Sequence, residues 1–289
     1  MKLPSSLKIL LLYKVSTYAY YFNSSRRNLK VPVSMKNMAR FRKTHLQHYE
    51  TLAHVEKFLK ERNVCYRRSR RGQKIDFSRF DLVITVGGDG TFLEAARFCK
   101  KQVLFGINSD PEWSVGRFCG ATDKTFSRIL EALLNKKCPI RKLNRLKLQI
   151  KDQTTCVNIL NDVLVCHANP AAMSRYLVRV NGKNEEQRSS GVWVATAAGS
   201  TGAIRSAGGK KLPFFSDQWQ YLPRELYGGY RQRYQLRGGA VSPKQSLQVV
   251  SLMNDGVVYI DGSHHKYPLR FGAEVVLRKS NEPLNVVLP

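Results

Sequence analysis

The chain is short of acidic residues. Against 48 lysines and arginines it has 21 aspartates and glutamates, a formal net charge of +27 over 289 residues. That balance predicts affinity for anions and strongly salt-dependent binding, but it does not choose the anion. The basic residues are dispersed through Arg26-Arg27, Arg40 to Lys43, Arg67 to Arg71, Arg141 to Lys147, Lys210-Lys211 and Arg231 to Arg237. With no basic tail and no recognisable DNA- or RNA-binding motif, no specific nucleic-acid partner is expected. Long hydrophobic runs are missing too: none approaches the ~18 residues that span a bilayer, so no membrane partner is expected. The N-terminal run Leu7 to Tyr13 contains Lys8, meets Lys14 and lacks a small-residue cleavage site, so it reads as a first strand and not a secretion signal. The six cysteines (65, 99, 119, 138, 156, 166) form no C-x-x-C and sit by no closely spaced histidines. This argues against structural zinc and fits reduced thiols in a cytoplasm; no residue is assigned to a protein-held metal. His264 and His265 are adjacent, so on a strand they face opposite sides and cannot share one ion.

Two familiar phosphate motifs are also absent. There is no G-x-x-x-x-G-K-[ST], and the dinucleotide fingerprint fails because Leu93 stands where the third glycine after Gly88 and Gly90 belongs. What is present is Gly87-Gly88-Asp89-Gly90-Thr91, directly after the apolar run Leu82-Val83-Ile84-Thr85-Val86. Glycines let backbone N–H groups approach a ligand, and a following helix offers its positive end to phosphate. The carboxylate would repel an anion. It suits proton removal from a hydroxyl, or help with a metal ion. The turn therefore reads as a site of phosphoryl transfer to an alcohol.

Phe92, Ala95, Ala96 and Cys99 recur at helical spacing, predicting a helix from Thr91 to about Lys100, and Val103-Leu104-Phe105-Gly106-Ile107 reads as the next strand. Strand, glycine turn, helix and strand make a βαβ unit with a parallel sheet, in which ligands bind at the carboxyl ends of the strands. Residues 16 to 44 are polar and turn-rich and read as a long mobile insertion; His45 to Glu61 reads as a helix, Val64 to Tyr66 as a short strand and Arg67 to Gly72 as a basic loop. A helix over Asp123 to Asn135 follows. The fold class expected is an α/β, Rossmann-like N-terminal domain with a parallel sheet (1–125), and an all-β, sandwich-like C-terminal domain (126–270). The second domain rests on the runs Leu146–Ile150, Tyr176–Val180, Gly191–Ala195, Leu247–Ser251 and Gly256–Ile260, with a hairpin turn at Asn181-Gly182. Phe215 to Gly239 reads as a mobile loop or a subunit contact.

A second small-residue cluster, Ala198-Gly199-Ser200-Thr201-Gly202-Ala203 through Ser206-Ala207-Gly208-Gly209, follows an apolar strand and suits a ligand-lined turn. At this point the sequence resembles the NAD kinases. The ordered set is the glycine-aspartate turn, Gly106-Ile107-Asn108, Leu160-Asn161-Asp162, the Gly199 to Gly209 cluster and Asp261-Gly262, and the resemblance covers nearly the whole chain. Asn108 to Glu112 and Arg188 to Gly191 look closer to the mitochondrial-type NAD kinases and their bacterial relatives. The resemblance implies ATP-dependent, Mg2+-assisted phosphorylation of the adenosine-ribose 2′-hydroxyl of NAD to NADP, with assembly as a homodimer or homotetramer. It implies Asp89 as proton acceptor, Gly88 and Gly90 beside the nucleotide, and Asn161 and Asp162 on the dinucleotide. Arg188, Thr201, Gly202, Ala203 and Ser206 would line the NAD pocket. It also implies that Phe271 to Pro289 returns to the first domain.

The chain departs from the family where GSTAY becomes Gly199-Ser200-Thr201-Gly202-Ala203, where Ser190 replaces a common aspartate, and where Ser263 replaces a common glutamine. A lost stacking ring is worth about 1 kcal/mol, so NAD affinity and the NAD-versus-NADH preference are in question while the chemistry is not. Two other readings compete. A lipid (diacylglycerol or sphingoid) kinase shares the glycine turn, but the Asn161-Asp162 and Gly199 to Gly209 elements argue against it. A nucleic-acid-binding protein is motivated by the charge alone.

Overall fold

A computed structural model describes residues 7–22, 34–151, 153–229 and 234–288. The chain divides into two compact units, Met1–Arg141 with Leu284–Pro289, and Lys142–Pro283.

In the first unit the apolar runs become strands β1 (Ile9–Tyr13), β2 (Tyr66–Arg70), β3 (Leu82–Gly87) and β4 (Val103–Asn108). They lie in the order β2-β1-β3-β4, all parallel, and the C-terminal strand Leu284–Val287 adds alongside β4. Every residue of β3 and β4 is buried, as expected of strands covered on both faces. Four helices accompany them: α1 (Thr17–Phe22), α2 (Met35–Glu61), α3 (Asp89–Phe98) and α4 (Phe126–Leu134). Leu52, Val55 and Leu59 of α2 and Phe126, Leu130 and Leu133 of α4 share one core with Ile84, Val86, Phe105 and Ile107. Strand side chains alternate in direction, so Gly106 faces the other way. There α3 closes in; a Cβ on Gly106 would sit 2.8 Å from the Phe92 ring.

Several expectations need correction. Thr17–Phe22 and Met35–Thr44 are helical rather than part of an insertion; residues 23–33 lie outside the described residues. The first turns of α2 carry no apolar stripe, yet Ser34 Oγ accepts from the Asn37 N–H at 3.3 Å and caps them. Arg67 to Arg70 belong to β2, not a loop: the strand is at the sheet edge, so Arg67, Arg68 and Arg70 stand in solvent while Ser69 turns inward. The domain boundary falls at Arg141 and not 125, because α4 packs into the first core. The returning segment is Leu284 onward and not Phe271, because Glu274–Lys279 is a central strand of a sheet in the second unit.

The second unit is a sandwich of two six-stranded antiparallel sheets. One contains, in order, Lys183–Ser189, Ser174–Val180, Ser246–Ser251, Glu274–Lys279, Leu146–Ile150 and Cys156–Ile159; the other contains Gly239–Val241, Trp219–Pro223, Val192–Thr196, Asp162–His167, Gly256–Ile260 and Lys266–Leu269. Alternate residues of both sheets, among them Tyr176, Val178, Leu247 and Val275 facing Val163, Val194, Trp219 and Val258, form one core. Asn181 and Gly182, at φ +53° and +74°, make the two-residue hairpin turn. Trp219–Pro223 is a strand with Trp219 and Tyr221 in the core, so Phe215 to Gly239 is not a loop throughout; residues 230–233 lie outside the described residues.

Candidate functional site

In the first unit the site is built on the end of β3. Gly88 caps α3 without a side chain, so the first helical amides are open to an incoming anion. The glycines are needed for close approach. A Cβ on Gly87 would sit 2.4 Å from Thr91 Oγ1, and one on Gly88 would sit 2.5 Å from Ser114 Oγ. Gly90 is exposed, with Arg71 Nη1 3.2 Å from the position of a Cβ. Arg71 is already neutralised, its Nε donating to Glu94 Oε2 at 2.5 Å.

Asp89 is half-buried, and its two oxygens accept from the amides of Arg117 (3.0 Å) and Phe118 (2.8 Å). These bonds aim the carboxylate and leave lone pairs on both oxygens. Asn108 organises the same loop. Its Oδ1 accepts from the Asp110 N–H at 3.1 Å and its Nδ2 donates to the Ser114 carbonyl at 2.9 Å. Gly116, at φ +58°, packs against it so closely that a Cβ would lie 2.3 Å from Nδ2.

Beneath the turn lies a polar cluster that sequence reasoning missed. His48 is fully buried, with Nε2 2.9 Å from the Lys14 carbonyl and Nδ1 2.8 Å from Ser109 Oγ. A carbonyl only accepts, so Nε2 carries the proton and Nδ1 accepts from the serine. Burial, and then the Lys14 charge, hold the imidazole down at about 4. Burial lowers the Lys14 ammonium, against an upward pull from the Asp110 carboxylate. The Cys119 thiol is pushed up to about 12 by burial and by Asp89, which makes it unreactive.

In the second unit the centre is Asp162. Asp261, at φ +47°, reaches back to accept from the Asn161 (2.7 Å) and Asp162 (3.2 Å) amides through Oδ1 and from Leu160 (3.1 Å) through Oδ2. Asn161 Nδ2 donates to Asp162 Oδ2 at 3.1 Å. Burial first, and the Asp261 charge second, push the Asp162 carboxyl up to about 7. The short 3-10 turn Ala198–Thr201 lies directly on this pair. Thr196 Oγ1 donates to the Leu160 carbonyl at 2.6 Å and accepts from Gly199 at 2.9 Å. A Cβ on Gly199 would come within 2.0 Å of the Asn161 carbonyl oxygen. One on Gly202 would lie 3.3 Å from both Asn161 Nδ2 and Asp162 Oδ2.

The structure thus gathers Asn161, Asp162 and Gly202, with Thr201, Ala203 and Ser206 exposed on the continuing turn and helix. Arg188 is not joined to them by any hydrogen bond among the described residues; its backbone bonds Tyr234 and Tyr227, and its buried Nε has no partner. Asp261, which holds the Asn161-Asp162 backbone, was visible in the sequence only as part of an Asp-Gly pair.

Each unit contributes one half of a recognisable plan. A parallel α/β sheet ending in a glycine-carboxylate turn, followed by an antiparallel sandwich with an Asn-Asp pair, defines a nucleotide-dependent phosphotransferase scaffold. The chain belongs to the NAD kinase family. Residues 22–138 match the ATP-NAD kinase N-terminal domain. A probable NADH kinase of Oryza sativa subsp. japonica is 36% identical over 231 residues, covering 72% of this chain and 71% of its own. An NADH kinase of Arabidopsis thaliana is 29% identical over 231 residues, covering 72% and 73%. The crystal structure of an NAD kinase from Archaeoglobus fulgidus in complex with ATP superposes with TM-score 0.70 over 97% of this chain and 93% of that one, at 22% identity, which speaks to the fold.

Proposed function

We propose that this protein transfers the γ-phosphoryl group of ATP to the adenosine-ribose 2′-hydroxyl of NAD, giving NADP. The observation that carries the reading is Asp89: a half-buried carboxylate at the carboxyl end of a parallel strand, aimed by two amides and preceded by Gly87 and Gly88, where a Cβ would collide with Thr91 and Ser114. In-line transfer depends mostly on positioning, and a general base adds about 10²–10⁴-fold. Asp89 takes the hydroxyl proton. Gly88 and Gly90 admit the phosphate chain to the first turn of α3. Asn161 and Asp162 hydrogen-bond the dinucleotide, and Arg188, Thr201, Gly202, Ala203 and Ser206 line its pocket.

Mg2+ would enter with ATP and be held chiefly by the substrate phosphates and water, which leaves Asp89 free to act as the base. When bound it neutralises charge on the β- and γ-phosphates. The two plant relatives, both named NADH kinases, support NADH as a further acceptor. Gly202 and Ala203 agree with this, since neither position of the turn over Asn161 and Asp162 carries an aromatic side chain. The family resemblance supports a homodimer or homotetramer, and the free cysteines fit the cytoplasm. No helix among the described residues is long and apolar enough to cross a membrane. A lipid-kinase reading has no support from the family membership.

The test is incubation of the purified chain with Mg-ATP and either NAD or NADH. Product is read by a dehydrogenase that accepts only 2′-phosphorylated dinucleotide. NADP or NADPH is expected; failure with both acceptors removes the proposal.

A further inference from the structure

The geometry points to Lys14 as a further catalytic residue, its ammonium meeting the phosphoryl group as it is transferred. This rests on the kinase reading above and names the cation of that site.

Lys14 directly follows β1, the strand beside β3, so the parallel order brings it to the same end of the sheet as the glycine turn. Its N–H points to the Val86 carbonyl at 3.4 Å, and its side chain runs along the turn, Cδ 3.5 Å from where a Cβ of Gly87 would be. The backbone is held from behind by His48, which donates to the Lys14 carbonyl and is itself fixed by Ser109.

The charge around Lys14 is unbalanced in a particular way. Arg71, a second cation at the turn, is paired with Glu94. Lys14 makes no ion pair or hydrogen bond through Nζ to any described residue, although it is half-buried. Asp110 is close enough to act on it electrostatically without pairing with it, and Asp110 Oδ1 is buried without a partner. A half-buried unpaired ammonium is costly unless an anion completes it. The bare backbone of Gly87 lies against the same side chain, and the uncapped first turn of α3 follows it at once in the chain; the anion that fits both is a polyphosphate.

In the step itself, the ribose 2′-oxygen forms a bond to the γ-phosphorus while the bond from that phosphorus to the β,γ-bridging oxygen breaks. The electron pair leaves with ADP and the hydroxyl proton goes to Asp89. Lys14 keeps its protons and stabilises charge on the moving phosphoryl oxygens.

The test uses the full chain and three variants: Lys14→Met, Lys14→Arg and Lys14→Met with Asp110→Asn. Lys14→Met is expected to lower kcat about 10²–10³-fold, the range for removing one preorganised donor, with KM for NAD unchanged. Inhibition by inorganic tripolyphosphate should be lost with it, and Lys14→Arg should recover part of both. If Lys14 merely neutralises Asp110, the double variant regains turnover, which overturns the assignment; so does normal turnover in Lys14→Met. Amine-labelling of the wild-type chain needs no variant to fold: tripolyphosphate should protect Lys14 at least tenfold more than Lys101, and equal labelling overturns the proposal. If the wild type makes no NADP but tripolyphosphate protects Lys14, the kinase reading fails and the polyphosphate site stands.

Discussion

Replacing Asp261 by asparagine sets two effects of known sign against each other. Oδ1 takes the Asn161 and Asp162 amides, and an amide oxygen in its place keeps both bonds at about half the strength of charge-assisted ones. Oδ2 takes the Leu160 amide, and Leu160 is 1% exposed. An NH2 group there faces a donor with a donor, and an unsatisfied buried N–H costs ~1–3 kcal/mol. The combined loss is about 3 kcal/mol. Against it stands Asp162. Its carboxyl ordinarily ionises near 3.8 but is pushed up to about 7, so the folded state holds its proton between those values. Stability from this group is therefore full below about pH 4 and falls as pH rises to 7. Above pH 7 the ionised Asp162 is repelled by Asp261, and the substitution relieves that by ~1–2 kcal/mol. At about 2–4 °C per kcal/mol, the melting temperature of the sandwich should fall about 6–12 °C at pH 5.5 and roughly half as much at pH 8. Fluorescence is a suitable probe, because two of the three tryptophans, Trp193 and Trp219, are in this unit. An equal drop at both pH values, or a larger one at pH 8, would refute the coupling of the two carboxyls.

Gly199→Ala places a carbon 2.0 Å from a backbone oxygen that cannot swing away, so the turn over Asn161 must move. KM for NAD should rise at least about tenfold while KM for ATP holds, read by steady-state kinetics. His48→Gln removes a group whose value falls from 6.5 to about 4 on folding; its stability is present above 6.5 and lost as pH drops through 4. The wild type should therefore lose roughly 3 kcal/mol more than the variant between pH 7 and pH 4, measured by urea unfolding at each pH.

The parts of the fold that were legible in the sequence are those in which local pattern and burial agree. The largely apolar run from Leu82 to Val86 falls in β3, every residue of which is buried, and alternation marks the core strands of the sandwich. Where burial is partial the pattern fails. The start of α2 has no inward face to mark it, β2 offers only Ser69 to the interior, and Lys183–Ser189 buries Gln187 and Ser189 instead of aliphatic residues. At the site, Asp89 and the Asn161-Asp162 pair stand inside short motifs and could be read. Lys14, His48 and Ser109 come together only by sheet topology, across 34 and 61 residues of chain. Asp261 acts across about a hundred. No local spacing records such contacts.

The central claim is that Asp89 serves phosphoryl transfer to a dinucleotide, and NADP formation by the wild type beside Asp89→Asn tests it most directly. The two should bind NAD alike in calorimetry, with turnover in the variant lower by about 10²-fold or more. Turnover in Asp89→Asn equal to that of the wild type would contradict the account.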